Sequence, residues 1–113
     1  PLMEPAAAAI AAELGRAELR APRFPIAENV SGTLVWDPAE LRELLGRHVV
    51  SPVKWERCMH ALEDAGATTF LEAGPGDVLT KMAKRILPGA TARAVGSVDA
   101  ARAPFAGPIS SAP

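Results

Sequence analysis

Residues 70–86 read FLEAGPGDVLTKMAKRI. An apolar run over 68–72 passes through Gly74-Pro75-Gly76 into a segment where Leu79, Met82, Ala83 and Ile86 recur at helical spacing. The pattern predicts a strand, a glycine turn and a helix. The run does not alternate strictly, as in a parallel-sheet strand covered on both faces. Asp77 stands where a helix cap belongs, and Lys81, Lys84 and Arg85 fall in later turns, where cations suit the helix dipole. Such a turn also offers backbone N–H groups to an anion. Here the sequence is neither GxGxxG nor GxxxxGK[ST], Pro75 removes one donor, and Asp77 competes with a phosphate. The turn is therefore expected to connect a core strand to its covering helix and to bind no phosphate. Glu72 and Asp77 are read as a strand-end acid and a helix cap rather than as a carboxylate pair.

The chain outside this unit fits the same class. Met3, Ala7, Ile10 and Leu14 predict a first helix, with Gly15 as its left-handed end. Residues 16–25 read as a connector and 24–30 as a short strand. Ser31-Gly32 follows as a turn, then extended residues 33–36. Asp37-Pro38-Ala39-Glu40 is a helix start: a cap, a proline at the first helical position and an acid three residues on. Leu41, Leu44, Leu45 and His48 share one face of that helix. Ser51-Pro52 is expected to open a second helix, with Trp55, Cys58, Met59 and Leu62 as its buried stripe and Gly66 as its end. Residues 91–98 are a last strand, and 99–113, rich in Ala, Pro, Gly and Ser, a loose tail. The order helix, strand, helix, helix, strand, helix, strand is an α/β layered pattern.

Composition narrows the function. Twelve basic and thirteen acidic residues leave a net charge of −1, which gives no electrostatic footprint for nucleic acid or an anionic membrane. No apolar run approaches the roughly 20 residues that span a bilayer, and no signal peptide is visible, so the expected compartment is the cytoplasm. The single cysteine, Cys58, forms no internal disulfide and gives no zinc pattern. It reads as a small core residue. His48 and His60 lie twelve apart without a supporting carboxylate, which argues against a metal pair. No GxSxG elbow is present. By spacing alone the chain carries no complete active site.

Four segments, taken together, resemble a known family. PLMEPA (1–6), FPIAENVSG (24–32), LLGRHVVSPVKWERCMHAL (44–62) and FLEAGPGDVLTKMAKRI (70–86) are similar, in this order, to the carboxyl-terminal third of malonyl-CoA:acyl carrier protein transacylases. The acyltransferase domains of polyketide and animal-type fatty acid synthases usually carry GPH at Gly74-Pro75-Gly76 and phenylalanine at Trp55, so the resemblance is to the stand-alone bacterial type. It implies the parallel-sheet, α/β-hydrolase-like large subdomain of an acyltransferase, with residues 1–98 as its carboxyl-terminal part and 99–113 as a flexible tail.

The resemblance also implies a chemistry. A serine on a strand-to-helix elbow takes malonyl from malonyl-CoA, a histidine acts as its base, and the phosphopantetheine thiol of acyl carrier protein carries the malonyl group away. No metal or other cofactor is implied. The family's serine elbow, its malonyl-binding arginine and its catalytic histidine all fall upstream of Pro1, so the chain by itself is expected to be inactive and to work with the amino-terminal part of the same enzyme. Two site positions remain. His48, four residues before Pro52, takes the place of a glutamine whose backbone carbonyl orients the catalytic histidine, as an aspartate does in a triad. Asn29 matches an asparagine at the pocket edge and is expected to contact substrate or to stabilise its own turn. The competing expectation is a non-catalytic acyltransferase remnant or a small α/β binding module.

Overall fold

The computed structural model describes residues 2–103. They divide after Leu62 into two compact units, the described residues 2–62 and 63–103.

The first unit opens with α1 (Glu4–Arg16). Gly15 lies inside this helix without a positive φ, and the helix ends where Ala17 turns extended, so the expected left-handed end at Gly15 is not the stop. A connector leads to β1 (Ile26–Glu28), paired antiparallel with β2 (Thr33–Val35) in the register Ile26 to Val35 and Glu28 to Thr33. The turn between them needs a glycine. Gly32 has φ +68°, and a Cβ there would lie 2.8 Å from Arg57 Cβ.

Helix α2 (Pro38–Gly46) begins as expected, with the Asp37 carboxylate accepting from Ala39 N–H at 3.0 Å. Leu41 and Leu44 are buried and join Val30 and Val35 in one apolar cluster. Helix α1 packs on α2 and on a 3₁₀ turn (His48–Val50) that follows it. His48 thus sits one turn beyond α2, not on it.

Helix α3 (Trp55–Asp64) starts later than the Ser51-Pro52 signal suggests. Lys54 N–H donates to the Asn29 carbonyl at 2.8 Å, which holds the preceding residues against the hairpin turn before the helix can begin. Cys58 and Met59 are buried on α3, whereas Trp55 and Leu62 are only half-buried.

In the second unit, β3 (Thr69–Ala73) runs parallel to β4 (Thr91–Val95), Thr69 opposite Thr91 and Ala73 opposite Val95. Helix α4 (Val78–Ile86) is the crossover and packs on both strands. The parallel pair agrees with the expected layer. Its burial does not: Leu71 is 49% exposed, so among the described residues β3 is not covered on both faces. Gly74 (φ +117°) and Gly76 (φ +86°) make the strand-to-helix turn in backbone conformations that favour glycine. Val98, read as the end of the last strand, instead opens a short helix α5 (Val98–Arg102), capped by Ser97 accepting from Ala100 N–H. The stretch 99–113, expected as a loose tail, instead continues α5 through Arg102, and residues 104–113 lie outside the described residues. Among the described residues no helix is long and apolar enough to cross a membrane.

Candidate active-site wall and the glycine turn

Two features carry polar chemistry, one in each unit. In the first, the hairpin turn, the end of α2 and the 3₁₀ turn enclose an open cleft of about 390 Å³. Its apolar wall includes Ile26, Leu41 and Leu45, and its polar groups include Glu28, Asn29 and His48. The structure therefore brings together the two residues singled out from sequence. Asn29 Nδ2 lies 2.9 Å from His48 Nε2, nineteen residues apart in the chain and partly buried. Asn29 is held at its main chain as well, through the Lys54 N–H bond to its carbonyl.

Sequence reading missed two neighbours of this pair. Glu28 is 3% exposed, yet its carboxylate accepts from Val30 N–H at 2.8 Å and Ser31 N–H at 3.0 Å. Two main-chain donors offset the cost of burying the charge. The local signal is a carboxylate three residues before the Ser31-Gly32 turn, but only the strand register says that it points inward. Cys58, read as a packing residue, places its thiol 3.4 Å from the Glu28 carbonyl and 3.8 Å from Asn29 Oδ1. Burial, and secondarily the nearby Glu28 charge, push the Cys58 thiol above its ordinary range. It is held as a neutral S–H donor, not as a nucleophilic thiolate.

In the second unit the glycine turn behaves as a connector, with a correction to its cap. Asp77 makes no capping bond; its carboxylate instead lies 3.4 Å from Lys81 Nζ. The cap comes from Glu72 on β3. Its carboxylate accepts from Thr80 N–H at 2.9 Å, Thr80 Oγ1 at 2.8 Å and Leu79 N–H at 3.2 Å. The N-terminal donors of α4 are thereby occupied by a carboxylate of the same chain, which takes the place an external anion would need. The Thr80 N–H bond, first among its hydrogen bonds, holds the Glu72 carboxyl below the usual range against a smaller opposing effect of burial.

Among the described residues no group of three or more His, Cys, Asp or Glu side chains is arranged to hold a metal ion. The cleft offers hydrogen-bond donors, acceptors and an apolar wall.

No protein-family model matches the chain. The malonyl CoA-acyl carrier protein transacylase of Salmonella typhimurium is 37% identical over 94 residues, which make up 83% of this chain and 30% of that protein. The acyl-carrier-protein S-malonyltransferase of Bartonella henselae superposes with a TM-score of 0.80 at 34% identity, over 88% of this chain and 32% of the other. A malonyl-transacylase solved in complex with its type II polyketide synthase acyl-carrier protein gives a TM-score of 0.78 at 34% identity, again over 88% of this chain and 32% of that one. The chain thus spans about a third of the length of the proteins it matches. In sequence and in backbone alike, it is similar to malonyl-CoA:acyl carrier protein transacylases over that third.

Proposed function

We propose that these residues form the carboxyl-terminal, histidine-orienting part of an enzyme that moves malonyl from malonyl-CoA to the phosphopantetheine thiol of acyl carrier protein in fatty acid synthesis. In this reading the backbone carbonyl of His48 orients the catalytic histidine, and Asn29 lines the pocket where substrate sits. The nucleophilic serine and the base histidine come from the amino-terminal part of the same enzyme. Residues 1–98 belong to the large acyltransferase subdomain.

The observation that carries this reading is the position of His48. It lies on the wall of the cleft, hydrogen-bonded to the other expected pocket residue, within a backbone that follows the transacylases at 34% identity. A carbonyl serves whatever side chain it bears, so replacement of glutamine by histidine leaves the proposed role intact. The exposed side chain of Leu71 on β3 is consistent with a sheet completed by further strands of the same fold. A free, buried Cys58 accords with a reducing cytoplasm.

A second reading, a non-catalytic remnant used as a binding surface, draws on the same histidine, since the usual glutamine side chain is gone. A chimera separates the two. Residues 1–98 replace the matching segment of the Salmonella typhimurium enzyme, and malonyl transfer to acyl carrier protein is measured. Transfer within tenfold of the parent is the expected result. A folded chimera without transfer would favour the remnant.

A further inference from the structure

The side chain of His48 has its own setting, independent of the carbonyl to which the proposed function assigns a role. Its Nε2 faces Asn29 Nδ2 at 2.9 Å. An amide nitrogen only donates, so the ring nitrogen facing it must accept. The other side of the same amide faces Cys58, whose Sγ lies 3.8 Å from Asn29 Oδ1 and nearer, 3.4 Å, to the Glu28 carbonyl, which is the closer acceptor for its one hydrogen. The three side chains come from the hairpin turn, the 3₁₀ turn and α3.

We infer that Asn29 is a positioning residue that holds His48 as the neutral tautomer bearing its hydrogen on Nδ1. The Asn29 N–H then has its acceptor in His48 Nε2. Nδ1, the ring nitrogen nearer the main chain, becomes a donor instead of a second lone pair. The tautomer assignment does not depend on the transacylase reading.

The test is ring-nitrogen NMR of the full chain above neutral pH, with His60→Gln used to assign the two histidines. The expected spectrum shows His48 protonated at Nδ1 and bare at Nε2. Asn29→Asp keeps the shape but offers only acceptors, and should invert the pattern so that Nε2 carries the hydrogen. Asn29→Ala should relax it to the mixture of free imidazole. A wild-type ring that is Nε2-protonated, or that shows the free-imidazole mixture, would overturn the inference even if the Asn29 variants failed to fold. An unchanged pattern in a folded Asn29→Asp variant would overturn it equally. Because no malonyl transfer is read, failure here leaves the transacylase reading standing.

Discussion

The Glu72 carboxylate receives both the N–H and the hydroxyl of Thr80, at 2.9 and 2.8 Å, across the Gly74-Pro75-Gly76 turn. One residue at the end of β3 thereby fixes the start of α4 and fills the site an anion would otherwise take.

This bond makes stability depend on acid in a defined direction. The folded Glu72 carboxyl sits below its ordinary range, chiefly through Thr80 N–H. Its contribution is present in full above the range where the unfolded carboxyl titrates. It is lost as pH falls from there through the lower folded value. Melting temperatures of wild type and Glu72→Gln should differ most near neutrality and converge in acid. A gap that stays constant or widens in acid would show that the carboxylate charge does not hold the helix.

The same occupancy predicts silence toward phosphate. A ligand at a hundredfold excess over its Kd would stabilise the folded chain by about 2.7 kcal/mol. Inorganic phosphate at millimolar concentration should leave the wild-type melting temperature unchanged at constant ionic strength. A rise that grows with phosphate would mean the glycine turn binds anions despite Glu72.

Glu28 should be costly to truncate. Its buried carboxylate holds two main-chain N–H groups of the hairpin turn. Glu28→Ala leaves them unpaired and should cost on the order of 2–3 kcal/mol in denaturant unfolding. A loss near zero would show that water satisfies the turn equally well.

Gly32 should resist substitution for two reasons at once, its φ of +68° and the 2.8 Å approach of Arg57 Cβ to an added Cβ. Gly32→Ala is expected to destabilise by about 1–3 kcal/mol. Gly15→Ala is the control: it meets nothing within 4 Å and lies in a helix, where alanine should stabilise by up to about 1 kcal/mol. Equal effects at the two positions would contradict the assignment of the hairpin turn.

Cys58 should be inert while the chain is folded. It is 3% exposed and its thiol is pushed above the ordinary range. Iodoacetamide at mildly alkaline pH should label it only after denaturant is added. Rapid labelling of the native chain would show that the Asn29 amide and the thiol are not held together as described.

Much of the fold was legible because its signals are local. Asp37-Pro38 opens α2 by a cap and a fixed φ, both readable within a few residues. The strand, glycine turn and helix over 70–86 follow from periodicity and two glycines. Capping at α4 was misassigned because the nearest acid, Asp77, pairs with Lys81 while Glu72 reaches over the turn from another element. The start of α3 was placed too early because the bond from Lys54 to Asn29 is long-range and leaves no mark on Ser51-Pro52. At the cleft, the resemblance located His48 and Asn29 but not their mutual bond. Neither Glu28 nor Cys58 could be joined to them without the strand register and the face of α3. Those contacts span up to thirty residues.

The central claim is that this chain supplies an orienting carbonyl and a pocket wall, with the reacting groups contributed by the rest of an acyltransferase. The most direct measurement incubates the chain with malonyl-CoA and phosphopantetheinylated acyl carrier protein. The same reaction is then run after adding a polypeptide that carries the remaining two-thirds of the Salmonella typhimurium enzyme. The account predicts no malonyl-carrier product from the chain alone and product from the combination. Sustained turnover by the chain alone would contradict it.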